Sequence, residues 1–349
     1  MNSVVSRRSM IVAAALSSLL AAPAVAQEPK ANGETLRIQN YAGTTGNMHA
    51  IVARAKGFCD KYNFKCEIST INSTSLGLQA LIGKTIDVTQ GGADLVAASV
   101  AAGGDVTVVG TSLPAPVLSV SVRKDVPLPN RDKGYPAIMK DFKGLKVGVA
   151  ARGTSSEIVM NSMLAEGGVK PDEVTYVAIG GPTTGYAALA VGKQIDAIVM
   201  YQPLTQLCEF NKTCETVVDM TIGQGGQAQR DSIGANVIFS MRREMVNSNP
   251  NLVAAFYAAM KDAAAWFNDP KNFDELVKIY TPIVSFGDMP GADQLRINWI
   301  KSVIPAYSKD LVVKKSALQE VLNFSYDNKI INAKVDAGKV LWEKAPQVP

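Results

Sequence analysis

The sequence predicts an α/β protein of two related α/β lobes with a cleft between them and a helical C-terminal region. Three observations support this fold class: a strand–turn–helix unit that occurs twice, an apolar content sufficient for two cores, and a series of amphipathic helices after residue 250. The chain has 349 residues, of which 47% are hydrophobic and 19% charged. Such a length corresponds to about two domains, and such a composition excludes a disordered chain.

The repeated unit begins with a strand, passes through a hydroxyl-rich turn and continues as a helix. It occupies residues 36–62 and again residues 146–166. Downstream of each copy stands the pattern G-K-x-I-D, at residues 83–87 and 192–196. Gly83 follows Gly43 by 40 residues and Gly192 follows Gly153 by 39, so the two copies are in register. Strands that alternate with helices predict mostly parallel sheets with right-handed crossovers.

These repeats predict how the chain is divided. We expect a first lobe made of residues 35–122 and 240–349, and a second lobe made of residues 123–239. Within the first lobe, residues 250–268, 273–280, 291–304 and 316–327 show the apolar periodicity of amphipathic helices. They carry no chemical motif, and we expect them to pack around the sheets.

The N-terminus has the pattern of an export signal. Arg7 and Arg8 precede an apolar stretch over residues 10–22, and Ala24-Val25-Ala26 is a small-x-small cleavage site. The stretch is shorter than the about 20 residues that span a bilayer, although an uncleaved anchor stays open as an alternative. We expect a signal peptide over residues 1–26 with cleavage after Ala26, a linker over 27–34 and a periplasmic protein. The paired arginines leave both the Sec and the twin-arginine routes open.

Charge and histidine content exclude several functions. Lys and Arg number 35 against 31 Asp and Glu, a balance too even for a nucleic-acid-binding surface. The single histidine, His49, excludes histidine-rich metal sites and leaves nucleophilic catalysis one possible base. We therefore expect no metal, no cofactor, no nucleic-acid partner and no catalytic residues. His49 itself fits a surface or capping residue better than a site residue.

The four cysteines form two close pairs, Cys59 with Cys66 and Cys208 with Cys214. Four cysteines allow three connectivities, and the sequence neither chooses among them nor excludes free thiols. Because the protein is expected to be exported and each pair spans one short turn, we expect the disulfides Cys59–Cys66 and Cys208–Cys214.

Two hydroxyl-rich turns are candidate ligand-binding segments: Thr44-Thr45, and Thr154-Ser155-Ser156. Both are expected at helix N-termini, outside the carboxyl ends of strands, where such sheets bind ligands. Free N–H groups, hydroxyl groups and the positive end of a helix then suit an anion. The alternative is plain capping, and Thr154-x-x-Glu157 has the spacing of a capping box.

The same register brings further strand-end residues to the cleft. Gly92 follows one G-K-x-I-D pattern, and Tyr201 and Gln202 follow the other. Tyr201 would supply an apolar face and Gln202 an amide. Arg152 and Arg230 are weaker candidates for neutralising an anion, because exposed arginines are common.

Several motifs occur together in a known family. They are D-F-K-G-L-K-V-G-V at 141–149 with G-T-S-S at 153–156, G-x-x-I-D-A at 192–197 leading to Tyr201 and Pro203, and N-P-N-L-V at 249–253 with A-A-A-W at 263–266. In these motifs the chain resembles the type II periplasmic solute-binding proteins of ABC importers. The similarity is to the branch that binds sulfonates, nitrate, taurine and thiamine-pyrimidine precursors.

The resemblance implies two lobes, joined by two crossovers, that close over a small and often anionic ligand. The family's ligand positions fall on Thr44, Thr45, Gly92, Thr154, Ser155 and Tyr201. The implied function is a non-enzymatic, monomeric receptor that delivers a small anionic or polar organic molecule to an ABC permease. Two alternatives stay open: a receptor of a TRAP-type carrier, and a pyrimidine-synthase-like enzyme. Sulfonates, nitrate, aromatic carboxylates and pyrimidines all remain candidate ligands.

Overall fold

The computed structural model describes residues 28–349, and the predicted signal peptide lies outside the described residues. No helix within residues 28–349 combines the length and apolar character needed to cross a bilayer. The strands are β1 (Thr35–Asn40), β2 (Lys65–Thr70), β3 (Thr89–Gly92), β4 (Val106–Leu113), β5 (Leu118–Arg123), β6 (Lys146–Val149), β7 (Thr175–Ala178), β8 (Ala197–Tyr201), β9 (Cys214–Asp219), β10 (Val237–Arg242), β11 (Val313–Lys314) and β12 (Gln347–Val348).

Helices follow most of the strands, as the alternating pattern predicts. They are α1 (Met48–Ala55), α2 (Phe58–Lys61), α3 (Thr74–Ile82), α4 (Ala93–Ala101), α5 (Ser155–Glu166), α6 (Pro182–Tyr186), α7 (Leu204–Asn211), α8 (Gln227–Asp231), α9 (Arg243–Ser248), α10 (Pro250–Asn268), α11 (Phe273–Tyr280), α12 (Ala292–Val303), α13 (Lys315–Asp327) and α14 (Ala337–Val340). The four helices expected after residue 250 are confirmed as α10 to α13, within one residue of their predicted ends.

The strands form two main groups. In the first, β1 lies parallel to β2, a parallel bridge from Ile38 to Val88 connects β1 to the segment before β3, and β3, β10 and β4 form a sheet in that order. In the second, five strands have the order β7-β6-β8-β5-β9. The α/β fold class is therefore confirmed.

The sheets are less uniformly parallel than expected. Strand β10 is antiparallel to both β3 and β4, and β5 is antiparallel to both β8 and β9. Both strands lie inside their sheets rather than at an edge. Each is the first strand after a crossover between the two strand groups and is not reached through a local strand–helix–strand connection, so the rule for parallel neighbours does not apply to it.

The strand pairings also bear on the predicted lobe boundaries. Strand β5 pairs in the five-stranded sheet, although the predicted first lobe extends to residue 122. Strand β10 pairs with the first group from Val237, slightly before the predicted boundary at 239/240. We propose the same two lobes with crossovers at 114–117 and 233–236.

The apolar cores support that division. One buried cluster combines residues 31–109 with residues 235–345 and includes a single residue of the second proposed lobe, Leu207 on α7. Two smaller clusters lie within residues 120–220. Helix α10 buries the predicted face, including Phe256, Met260 and Phe267, against the first of these clusters. This packing supports the assignment of residues 240–349 to the first lobe.

Each repeat ties its G-K-x-I-D aspartate to its first strand. The carboxylate of Asp87 accepts the backbone N–H of Arg37 at 3.1 Å, and that of Asp196 accepts the backbone N–H of Lys146 at 2.9 Å. The same pairing in both halves extends the repeat from sequence to structure.

In each half, the G-K-x-I-D aspartate also binds an arginine, which is the last residue of β10 or of β5. Arg242, at the end of β10, pairs with Asp87 at 2.8 Å and donates to the carbonyl of Ile86. Arg123, at the end of β5, pairs with Asp196 at 3.2 Å and donates to the carbonyl of Ile195. We call these two pairs the arginine–aspartate clamps. They hold β5 and β10 in the sheets that these strands enter.

Both predicted disulfides are present. Cys59 is bonded to Cys66, linking α2 to β2, and Cys208 is bonded to Cys214, linking α7 to β9. Each disulfide is therefore local, the first within the first proposed lobe and the second within the second, and no cysteine of the described residues is free.

Candidate ligand-binding cleft

A cavity of about 590 Å³ lies between the two strand groups. It is lined by all of the residues that the sequence analysis selected for ligand binding: Thr44, Thr45, Gly92, Thr154, Ser155, Ser156, Tyr201 and Gln202. These residues come from turns and strand ends spread over residues 44–202 of the sequence. The fold therefore collects them in one place, and ligand binding by them stays a prediction.

The first hydroxyl turn does not form a helix N-terminus as expected. Helix α1 begins at Met48, and its N-cap is Asn47, whose side chain accepts the N–H of Ala50. Thr44 and Thr45 precede this cap, so the expected location at the helix N-terminus is wrong for them. Asn47 takes the N-cap position because it directly precedes the apolar helix and is a favoured N-cap residue.

Both threonine hydroxyl groups already have partners. The hydroxyl of Thr44 donates to the backbone carbonyl of Gln202 at 3.2 Å, which joins the two sides of the cavity. The hydroxyl of Thr45 accepts from that of Tyr307 at 3.0 Å, and its carbonyl accepts from Tyr280. The Thr44 hydroxyl is therefore used in the contact across the cavity, whereas the Thr45 hydroxyl, which accepts here, keeps its own O–H to donate to a ligand.

The second hydroxyl turn lies at a helix N-terminus, as predicted. Thr154 is the N-cap residue of α5, but its hydroxyl donates to the carbonyl of Ala151 rather than capping the helix. The expected capping box is wrong: the carboxylate of Glu157 accepts from the N–H of Gly153 and from the guanidinium of Arg152. The hydrogen bonds from Arg152 to Glu157 are stronger than those from a neutral donor would be, because both groups are charged.

The two serines of this turn have different partners. The hydroxyl of Ser156 accepts the N–H of Ala150 at 3.2 Å, which fixes the turn. The hydroxyl of Ser155 donates to Oδ1 of Asp94 at 2.9 Å, across the cavity from α5 to α4. Ser155 therefore links the two halves of the site.

The sequence analysis missed Asp94 as a site residue. It lies in the first turn of α4, lines the cavity, and is 8% exposed. Burial raises the pKa of its carboxyl group, while the hydrogen bond from Ser155 acts in the opposite direction. The sequence did contain an indication of this role, because Asp94 is a charged residue within the otherwise apolar stretch that follows Gly91-Gly92.

Gly92 contributes space rather than a hydrogen-bonding group. A Cβ atom at this position would overlap Oδ1 of Asp94 and lie 2.6 Å from the hydroxyl of Ser155. A side chain at residue 92 would therefore separate the two groups that join α4 to α5.

Two tyrosines form a polar-edged aromatic wall. Tyr201, at the end of β8, packs edge-to-face with Tyr41 at 6.2 Å between ring centroids. The hydroxyl of Tyr41 donates to the carbonyl of Gln90 at 2.6 Å. Burial raises the pKa of Tyr41 to about 12 and also raises that of Tyr201, so both rings are neutral at physiological pH.

Gln202 is held from two directions. Its carbonyl accepts from Thr44, and its side-chain oxygen accepts from the indole N–H of Trp299 at 3.3 Å. Trp299 lies on α12 in the C-terminal part of the chain, so this pair is a further contact between the two halves.

The weaker candidates from the sequence do not reach the cavity. Arg152 is bound by Glu157, and Arg230 donates to the carbonyl of Gly225. His49 is fully buried, not a surface residue as expected, and donates from Nε2 to the carbonyl of Ser308 at 2.7 Å. Burial lowers the pKa of His49 to about 4.

The remaining lining is mainly apolar, with a few amides and hydroxyls. Leu113, Pro116, Val117, Leu118, Val159, Met220, Ile222 and Phe324 are among its apolar members. A cavity of this size and composition suits a small organic molecule whose polar groups meet a few fixed partners.

A fold of two sheet-containing lobes around such a cavity is that of a periplasmic binding protein. Solved structures agree. A protein of Bordetella bronchiseptica RB50 has a TM-score of 0.72 at 24% identity, covering 89% of this chain and 95% of that one. The alkanesulfonate-binding protein SsuA of Xanthomonas axonopodis pv. citri has a TM-score of 0.67 at 16% identity, covering 91% and 99%.

The sequence model of the family described as NMT1/THI5 like matches residues 45–272. This chain belongs to that family, and its fold is that of the periplasmic binding proteins. A nitrate/nitrite binding protein, NrtA of Nostoc sp., is 27% identical over 143 residues, 40% of this chain. The match spans 30% of that relative's length.

Proposed function

We propose that this chain is an extracytoplasmic solute-binding protein. It captures a small anionic or polar organic molecule between its two lobes and delivers it, as a monomer, to the permease of an ABC importer. The observation that carries the proposal is the location of the cavity, because both proposed lobes contribute residues to its lining. A ligand there touches both lobes and stabilises the closed arrangement through contacts that an open one lacks.

Cross-cavity contacts support this mechanism. Ser155 bonds to Asp94, Thr44 to Gln202, and Trp299 to Gln202, so one residue of every pair lies in each proposed lobe. Closure therefore creates hydrogen bonds within the protein as well as with the ligand. These contacts add to the free-energy difference between the closed and open arrangements.

The partner and the location are supported by the relatives. Proteins of similar fold include an alkanesulfonate-binding protein, an aliphatic sulphonate binding protein, a nitrate-binding protein and a ligand binding component of an ABC-type import system. Two local disulfides agree with an oxidising compartment. His49 lies in the core rather than in the cavity, which favours a receptor over the pyrimidine-synthase-like alternative.

A thermal-shift screen tests the function. Sulfonates, nitrate, aromatic carboxylates and pyrimidines are offered to the purified chain, and a ligand at 100 times its Kd should add about 2.7 kcal/mol of stability. Calorimetry with the best compound then compares Ser155→Ala with Ser325→Ala, a buried serine that bonds within α13 outside the cavity. Loss of the Ser155 hydroxyl should weaken binding by about 0.5–1.5 kcal/mol. Equal affinities in both variants, with the compound elsewhere in a crystal structure, would contradict the proposal.

A further inference from the structure

The cavity is unusual in the charges of its lining. Among the lining residues, all of which lie within residues 28–349, Asp94 is the one carboxylate and none is Lys, Arg or His. The carboxylate thus has no basic side chain in the cavity to balance it. Any ligand bound there meets a negative or neutral wall, never a positive side chain.

The carboxylate is also incompletely hydrogen-bonded. Oδ1 of Asp94 accepts from Ser155, whereas the buried Oδ2 has no hydrogen-bond partner among the described residues. Buried polar atoms nearly always have a partner, and a charged one without it is destabilising. Five such atoms occur within residues 28–349, and two of them, Oδ2 of Asp94 and Oε1 of Gln229, belong to residues that line the cavity. Both are acceptors, so the cavity offers two unpaired acceptors to the donor groups of a ligand.

The helix N-termini beside the cavity already carry acidic groups of the chain itself. Asp94 lies in the first turn of α4 and bonds to Ser155, the first residue of α5. Glu157 in the first turn of α5 accepts the N–H of Gly153. A helix N-terminus favours one nearby negative charge, and here the side chains supply it. Glu157 is balanced by Arg152 and does not line the cavity, so the negative charge that an anionic ligand group would meet there is that of Asp94.

We propose that the ligand carries an N–H-bearing nitrogen, as an amine, amidine or amino-substituted heterocycle, which donates to Oδ2 of Asp94. This rests on the proposed function and names the chemical class of its ligand. Asp94 is then the residue that sets specificity, and the pair Tyr41 and Tyr201 packs against the apolar part of the molecule. A plain carboxylate or sulfonate lacks the donor that the site requires.

Matched compounds and two charge-removing variants test this inference. The probes are pairs that share a skeleton and differ in the nitrogen: benzylamine and benzoate, 4-aminopyrimidine and pyrimidine, taurine and 2-hydroxyethanesulfonate. Thermal shift and calorimetry compare the wild-type chain with Asp94→Asn, whose amide oxygen still accepts from Ser155. Asp172→Asn is the control, since it removes an equal charge from an exposed residue outside the cavity.

The member of a pair that carries an N–H group should bind more tightly to the wild-type chain and to Asp172→Asn. Asp94→Asn should weaken that binding by roughly 10- to 150-fold, the usual range for a hydrogen bond to a charged group. Tighter binding of the members without an N–H group, unchanged by Asp94→Asn, would overturn the inference and leave the proposed function standing. No stabilisation by any probe or by nitrate would count against the proposed function itself.

Discussion

The buried histidine makes the stability of this protein depend on pH in a way that can be isolated. His49 is the single histidine of the chain, and it is enclosed by Phe239, Phe267 and Tyr307 at centroid distances of 5.4 to 5.8 Å. Its Nε2 donates to the carbonyl of Ser308, which fixes the neutral tautomer. Protonation would place a charge among aromatic rings without a carboxylate partner, and burial accordingly lowers its pKa to about 4.

The magnitude follows from the two protonation equilibria. The unfolded chain binds a proton at histidine below about pH 6.5, whereas the folded chain does so only below about pH 4. Stability is therefore complete above pH 6.5 and falls as pH decreases toward 4. The expected loss is about 2 kcal/mol by pH 5 and about 3 kcal/mol in total.

Urea unfolding followed by circular dichroism at pH 8, 7, 6 and 5 measures the loss directly. His49→Gln is the control variant, because its amide still donates a hydrogen bond but does not titrate, and its stability should change much less over this interval. Magnetic resonance of the single imidazole gives the folded pKa independently. A folded pKa near 6.5, or an equal loss in His49→Gln, would refute the reasoning.

Three further outcomes are expected. Asp87→Asn leaves two arginines without their carboxylate, one of them largely buried, and should lower the free energy of unfolding by about 3 kcal/mol in urea titrations. Cys59→Ser with Cys66→Ser opens a short loop and should cost about 2 kcal/mol by the same measurement. Asp94→Asn should raise the melting temperature of the ligand-free chain at pH 7, because burial raises the pKa of the carboxyl and penalises its charge. That gain should shrink as pH falls through the raised pKa; a constant gain would point to another cause.

Local patterns predicted local structure well. Helices α10 to α13 and both disulfides were predictable because apolar periodicity and short cysteine spacing act within a few turns of chain. The repeated G-K-x-I-D pattern predicted the two lobes for a related reason. Its aspartate binds the strand of its own unit, so sequence register and spatial register agree.

Features that depend on distant segments were not predictable. The antiparallel pairing of β5 and β10 joins segments that are far apart in sequence, which no local periodicity records. Asp94 became a site residue only when the fold placed Ser155 against it, 61 positions away. The capping box at Thr154 failed because Arg152 and Gly153 compete for the carboxylate of Glu157.

The arginine–aspartate clamps have a consequence for how the chain can fold. Strand β10 lies between β3 and β4 although strands β5 to β9 separate it from them in sequence, so the first sheet holds an interior strand contributed from beyond the second sheet. A fragment ending near residue 113 would leave β3 and β4 without the strand that joins them, and would leave Asp87 without Arg242. The first sheet is therefore completed only after the chain has passed through strands β5 to β9, which are contiguous in sequence and form the second sheet among themselves. We expect the second lobe to fold from one continuous segment and the first lobe to require both of its segments.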